Sequence, residues 1–419
     1  MSTLAEKYQK FVIPTYGRFD LDIARGSGCR VWDFDGREFL DFGAGIAVCS
    51  LGHAHPEITE AVSRQAATLV HTSNLYRTAP QAELAERLVG IAGPGKVFFC
   101  NSGAEANEGL IKLARRFGST TARHEILTFD GSFHGRTMAG ISATGQQKVK
   151  TGFGPLLDGF RHLPFGDLDA VSASIGPSTV AILVEPVQGE GGIHIAREAF
   201  LTGLRELCDK HNLLLLFDEI QCGLGRTGEW CGWESLAPNV RPDGVSWAKG
   251  IANGFPLGAF WVGSGGRDDR GPLCDLLGPG SHGTTYGGNP VVCAAGLKVL
   301  EIIERDNLRM AAVKLGNHLV SALREARIPH VSEVRAIGLM VGIQLDKATF
   351  PQGPRPPALE AVVRSMAEGL LAIPAGETVV RFLPPLNVTD GEIDEAVKKF
   401  AAAIEKLENG PEPASLQHP

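Results

Sequence analysis

The chain lacks most of the features that assign a protein quickly. Its eight cysteines form no C-x-x-C pair, which removes the spacing of a zinc ribbon or a dithiol redox centre, and no metal site is expected. It carries no basic block, and 40 Lys and Arg stand against 47 Asp and Glu for a net charge of −7. A mildly acidic chain of this kind suits neither a nucleic-acid backbone nor an anionic membrane surface. No apolar run approaches the roughly 18 residues of a membrane span. Residues 1–7 lack the apolar stretch of a secretory leader. Several cysteines sit in apolar runs, such as Cys100 behind Val97-Phe98-Phe99, and read as reduced core thiols of a cytoplasmic protein.

What is present points to an α/β enzyme. With 419 residues and 43% apolar composition, the chain can bury a large core. Its 52 glycines imply many tight turns and close backbone approaches. Between about 80 and 265, short apolar runs alternate with helical patterns. Candidate strands lie at 97–100, 125–129, 180–184, 213–217, 244–247 and 259–262. Runs apolar on both faces suit a mostly parallel sheet covered by helices. Helices are expected at 104–117, opened by a Ser102/Glu105 capping box, at 198–210, and from Pro290, behind an Asn289 N-cap, to about 304. The C-terminal part should add a helix at 308–326, short strands within 331–345 and a last helix opened by Thr389 and Glu392. Strand-like pieces stand at 30–34 and 38–42. Residues 350–357 read as a surface loop and 409–419 as a loose tail.

Four features carry chemistry only in combination. Asp218 closes an apolar strand, so it stands at the carboxyl edge of the sheet, where open α/β folds bind ligands; alone it reads sooner as a helix N-cap or loop acid. Lys249 follows the next strand and precedes the glycine-rich Asn253-Gly254-Phe255-Pro256-Leu257-Gly258. Most lysines are solvated, but a desolvated one loses its proton easily and forms Schiff bases. Ser102, Gly103 and Ala104 open a helix and can cradle an anion. Phe133-His134-Gly135-Arg136 places an aromatic beside an arginine. An anion cradle, an amine, an acid and an aromatic surface are what a pyridoxal phosphate (PLP) cofactor requires.

The chain resembles the class III, fold-type I, PLP-dependent aminotransferases over nearly its whole length. The resemblance rests on Gly45-Ile46-Ala47-Val48, Gly52-His53-Ala54-His55-Pro56, Asn101-Ser102-Gly103-Ala104-Glu105-Ala106-Asn107, Glu185-Pro186-Val187-Gln188-Gly189-Glu190, Asp218-Glu219-Ile220-Gln221, the Lys249 segment, Gly283-Thr284-Thr285-Tyr286 and Arg381-Phe382-Leu383-Pro384. It implies a large PLP domain at 50–300 and a small α+β domain from 1–49 and 301–419. It implies that Lys249 carries the cofactor as a Schiff base and shuttles a proton, and that Asp218 pairs with the ring nitrogen. Gln221 would bond the ring oxygen and Phe133 would stack on the ring. Ser102, Gly103 and Ala104 would hold the phosphate, with Thr285 from the second subunit of a homodimer. Glu185 is expected near the cofactor face. Arg136 would bind the carboxylate far from the reacting nitrogen. Arg381 would bind the nearer one, with Glu190 as its partner when that carboxylate is missing. Thr284 and Tyr16 would touch substrate.

The expected partners are an amino donor and the 2-oxoglutarate/glutamate pair. Val70-His71-Thr72-Ser73-Asn74-Leu75-Tyr76 is most similar to the acetylornithine branch; ornithine, succinylornithine, lysine precursors and 4-aminobutyrate remain open as donors. A rival reading comes from Gly223-Leu224-Gly225-Arg226-Thr227-Gly228, which matches the G-x-G-x-x-G of NAD-dependent dehydrogenases. It needs a helix directly after the turn, and Glu229-Trp230-Cys231-Gly232-Trp233 does not begin one.

Overall fold

The computed structural model describes residues 3–409. Its centre is a seven-stranded sheet of β1 (Gly95–Cys100), β2 (Glu125–Phe129), β3 (Phe160–Leu163), β4 (Thr179–Val184), β5 (Leu214–Asp218), β6 (Gly244–Trp247) and β7 (Gly258–Gly263), in the order β1-β7-β6-β5-β4-β2-β3. The pairs β6-β5, β5-β4, β4-β2 and β2-β3 are parallel, and β7 runs antiparallel to β1 and β6. The expected α/β architecture with a mostly parallel sheet is therefore present.

Strand periodicity divides the core between the two faces. Leu214 and Leu216 pack with Leu110, Ala114 and Phe117 of the helix α1 (Gly103–Gly118). Leu215 and Phe217 pack with Phe200, Leu201 and Leu204 of α2 (Glu198–His211). Each buried Leu or Phe contributes roughly 1.5–3 kcal/mol relative to exposure. Asp218 shares the parity of Leu214 and Leu216, so its side chain leaves the sheet on the α1 side.

The helix α3 (Pro290–Arg305), capped by Asn289 Oδ1 on the amides of Val291 and Val292, packs on the helices Pro56–Thr68 and Ala79–Ala92 and on the turn Lys249–Ala252. It is followed by α4 (Leu308–Glu325) and, at the end, α5 (Asp390–Asn409), which pack together. The expected strands at 331–345 are a hairpin, Val331–Ile337 with Met340–Leu345, extended by Val379–Phe382 and Ile373–Ala375. Near the N-terminus, strands Ile23–Ser27, Arg30–Asp33 and Glu38–Asp41 form a second small sheet, and Leu370–Leu371 joins its edge in parallel. Chain segments 330 residues apart in sequence, Leu370 and Leu40, thus pair in one sheet.

Several expectations need correction. Ser102 accepts the Glu105 amide, but Glu105 returns its carboxylate to the Asn101 amide (2.9 Å) and side chain (2.8 Å), not to Ser102. Only half of that capping box forms; the Thr389/Glu392 box is reciprocal. Phe350 does not belong to a surface loop: it is buried, with its ring 5.6 Å from that of His330. Asn409 ends α5 rather than opening a tail, and residues 410–419 lie outside the described residues. All eight cysteines are unpaired, six of them buried. Among the described residues no helix is long and apolar enough to cross a membrane.

Candidate active site

Asp218 emerges from β5 into a buried network. Its Oδ2 accepts from Asn107 Nδ2 (2.7 Å) and His134 Nδ1 (2.8 Å), and its Oδ1 accepts the Ile220 amide (3.1 Å). Ser246 donates in turn to Asn107 Oδ1 (2.7 Å). Asn107 lies about one turn into α1, on the face that meets the sheet, and Ser246 lies on the neighbouring β6. Burial opposes a charge on His134, but the bond to the Asp218 carboxylate outweighs it and raises the proton affinity of the ring. A carboxylate held by three donors is fixed in position and keeps acceptor capacity on Oδ1.

Beside Asp218 opens a cavity of about 390 Å³ whose lining includes Val48, Ser102, Phe133, Glu185, Asp218 and Lys249. That is within the usual size range of small-molecule sites. Lys249 starts the short 3-10 turn Lys249–Ala252 with φ +46, a left-handed conformation that non-glycine residues adopt at a cost of about 1–2 kcal/mol. Burial lowers its ammonium pKa, against the attraction of Glu190. Across the cavity, Gly103 and Ala104 head α1, where no preceding turn can accept their amides. A Cβ on Gly103 would meet Ile220 at 2.7 Å, so glycine permits this close approach. Glu185 accepts the Phe133 amide at 2.8 Å, and burial pushes its carboxyl up to about 7.

Arg381 lies behind the cavity wall, 1% exposed. Its Nη1 and Nη2 donate to the two oxygens of Glu190 at 2.8 and 3.1 Å, and Nη1 also to Gln221 Oε1 at 3.1 Å. Desolvation disfavours the Glu190 charge, but Arg381 overrides it and holds the carboxyl below its usual range. A Cβ on Gly189 would stand 2.2 Å from Gln221 Oε1, so a larger residue there would have to move the Gln221 amide. Arg136 is exposed at the cavity mouth, 5.5 Å from the Phe133 ring centre. Thr284 donates no wall but sits at the rim, with its Oγ1 3.2 Å from Asn101 Nδ2. Thr285 and Tyr16 do not line the cavity: Thr285 lies in a shallow depression with His71 and Asn74, and Tyr16 is 74% exposed.

The profile of the family described as Aminotransferase class-III matches residues 12–404. The chain belongs to the class-III aminotransferase family. An acetylornithine aminotransferase of Myxococcus xanthus is 45% identical, over 93% of this chain and 95% of that protein. The solved N-acetylornithine aminotransferase of Stenotrophomonas maltophilia is 35% identical with a TM-score of 0.80, covering 97% and 99% of the two chains. An ornithine aminotransferase of Toxoplasma gondii, with PLP at partial occupancy in its active site, is 30% identical with a TM-score of 0.88, covering 96% and 94%. Class-III aminotransferases use PLP. The residues of this aminotransferase fit that group: an amine depressed by burial, amides free at a helix N-terminus and an anchored carboxylate converge on one cavity.

Sequence reasoning passed over His134, Asn107 and Ser246, the groups that fix Asp218. His134 and Asn107 both stand inside the quoted motifs. The available signal was Asn107 itself, a polar residue between Ala106 and Leu110 on an otherwise apolar helix face. The Gly223–Gly228 stretch, by contrast, runs into turns and not into a helix, so the dinucleotide unit is missing.

Proposed function

We propose that this aminotransferase moves the terminal amino group of N-acetylornithine to 2-oxoglutarate, giving N-acetylglutamate 5-semialdehyde and glutamate. The observation that carries this is the bidentate Arg381–Glu190 pair at the cavity wall. Similarity to acetylornithine aminotransferases over nearly the full chain supports the choice of donor.

Lys249 would hold PLP covalently. Ser102, Gly103 and Ala104 would hold its phosphate, Asp218 its ring nitrogen, Phe133 its ring face and Gln221 its ring oxygen. When bound, PLP would supply an aldehyde carbon that can carry the amino group between substrates and a ring that accepts electrons. Lys249 Nζ, poorly solvated and easily deprotonated, moves a proton at the substrate carbon that bears nitrogen. Arg381 and Arg136 recognise carboxylates through the bidentate fit of guanidinium. Glutamate carries a carboxylate next to its reacting amine and would displace Glu190 from Arg381. A donor reacting at the end of a carbon chain has none there, and Glu190 keeps Arg381 neutralised. Arg136 would take the distant carboxylate of either substrate.

A spectral half-reaction screen tests the reading. N-acetylornithine should bleach the cofactor absorbance in one turnover, and 2-oxoglutarate should restore it. Much faster bleaching by free ornithine or 4-aminobutyrate refutes the donor assignment. In the same screen Glu190→Gln should lose about 10-fold in rate constant with N-acetylornithine, the size of one charge-assisted bond, and far less with glutamate. Equal losses with both would show that Glu190 does not switch.

We also infer a homodimer. Val70, Leu75, Tyr76 and Tyr286 are 55%, 87%, 66% and 62% exposed, and the His71 and Tyr286 rings meet at 5.6 Å. An apolar patch of this kind favours a covering partner, and it would bring Thr285 to a second copy's phosphate site. A monomer in sedimentation equilibrium at micromolar concentration would contradict this.

A further inference from the structure

The segment between Asp41 and His53 has a conformation its composition hides. Ala44, Gly45, Ile46 and Ala47 carry φ of +45, +65, +66 and +60. Ala47 N bonds Gly43 O (3.0 Å) and Val48 N bonds Ala44 O (2.9 Å). This is a helical turn of left-handed sense, which L-residues other than glycine resist because Cβ crowds the following carbonyl. Three of the four carry a Cβ, so something must impose the turn.

The imposing groups are at its entrance and exit. Asp41, only 7% exposed, accepts the amides of Gly43 and Ala44 on Oδ1, both at 2.9 Å. Its Oδ2 meets His53 Nε2 at 2.8 Å. His53 is tied back through the Gly28–His53 bridge, where Gly28 N bonds His53 O (3.0 Å) and His53 N bonds Gly28 O (2.8 Å). The bond from Asp41, with a further one from Cys49, raises the His53 imidazole to about 10, so at neutral pH the pair is an ionic hydrogen bond. Beyond the turn, Val48 lines the cavity. Ser50 packs so close to Gly250 that a Cβ there would stand 2.3 Å from Ser50 Oγ. Asn253 receives the Leu51 amide at 2.8 Å and donates to Gly52 O at 2.9 Å. The segment carrying Lys249 is therefore backed by the exit of the turn.

We propose that Asp41 and His53 are positioning residues. Their clasp holds the left-handed turn Ala44–Ala47, which sets Val48 on the cavity wall and Ser50 behind the Lys249 turn. Neither residue touches the cavity. The catalytic part of this inference rests on the cavity being the site of transamination; the conformational part does not.

The test compares Asp41→Ala with Asp41→Asn as holoenzymes, by half-reaction kinetics and by amide exchange of the peptide spanning 43–48. Asparagine keeps an oxygen for the two amides; alanine keeps none. Asp41→Ala should lose roughly 10-fold or more in kcat/KM, as sub-ångström misplacement does, and its 43–48 amides should exchange faster. Asp41→Asn should stay closer to the wild type in both. Adding Ala47→Gly to Asp41→Ala should recover part of both losses, because glycine enters positive φ without steric cost. No recovery of either quantity by that glycine would overturn the proposal, as would unchanged exchange and kinetics in Asp41→Ala. Should Asp41→Ala not fold, His53→Ala removes one arm of the clasp and must show the same two effects in weaker form; wild-type values there overturn the proposal too. Failure of the wild-type holoenzyme to transaminate would instead refute the functional reading, while the exchange data would still decide the clasp.

Discussion

Lys249→Ala is expected to lower the rate of transamination by roughly 10³-fold or more, within or above the range ascribed to a positioned general base. The loss has two sources. The covalent tie proposed for the cofactor would disappear, and no other amine stands in the cavity lining to move the proton at the substrate carbon. The anion cradle is untouched, because Gly103 and Ala104 supply backbone amides from α1 and Ser102 caps the same helix. PLP should therefore still bind, with an absorbance typical of the free aldehyde, and be washed out more readily. Lys249 also carries φ +46, so alanine there inherits the backbone strain and gains no stability from relief. Stopped-flow half-reactions with N-acetylornithine measure the effect. Turnover retained in full would exclude Lys249.

The second large effect is expected at Asp218. Asp218→Asn keeps the shape of the side chain but removes its charge. Two opposite charges about 4 Å apart attract by roughly 4 kcal/mol at an effective dielectric of 20, which corresponds to about 10³-fold in rate if that attraction is what keeps the ring nitrogen protonated. An amide also cannot satisfy its surroundings. Asn107 Nδ2, His134 Nδ1 and the Ile220 amide all donate to the present carboxylate, so the new NH₂ group must face a donor whichever way it turns. His134 would lose the partner that raises its proton affinity. That contribution to stability is present below the ordinary imidazole pKa and is lost as pH rises through the raised one, so the variant's deficit in melting temperature should be largest in acid. Rates within 10-fold of the wild type would reduce Asp218 to a structural acid.

The fold was legible where burial on both faces left an unbroken apolar run. Leu213 to Phe217 and Val180 to Val184 read as strands because neither face admits a polar residue, and Asp218 then stood out as the first departure. The edge strand β3, Phe160–Leu163, was not legible: Arg161 and His162 interrupt it, and Arg161 pairs with Glu125 on the exposed flank. The helix Pro56–Thr68 was missed for a related reason, since only Ile58 and Ala61 of its residues are buried and the apolar stripe is faint. In the site, cavity-lining residues that stand within their own motif were readable, Lys249 and Ser102 among them. Those that act through a distant partner were not. Asn107 and His134 meet at Asp218 only because α1, the loop after β2 and the end of β5 converge, and no local spacing encodes that meeting. The left-handed turn was hidden for another reason: Ala44-Gly45-Ile46-Ala47 contains nothing that announces positive φ at its alanines, and the groups that impose it stand outside the four residues.

The most direct measurement is peptide mapping after borohydride reduction of the PLP-loaded protein. Reduction fixes any imine between cofactor and lysine, and mass spectrometry of the digest locates it. A phosphopyridoxyl adduct on the peptide containing Lys249, and lost in Lys249→Ala, is the predicted result. An adduct on another lysine, or none on a protein that binds PLP, would contradict the assignment from which the other roles follow.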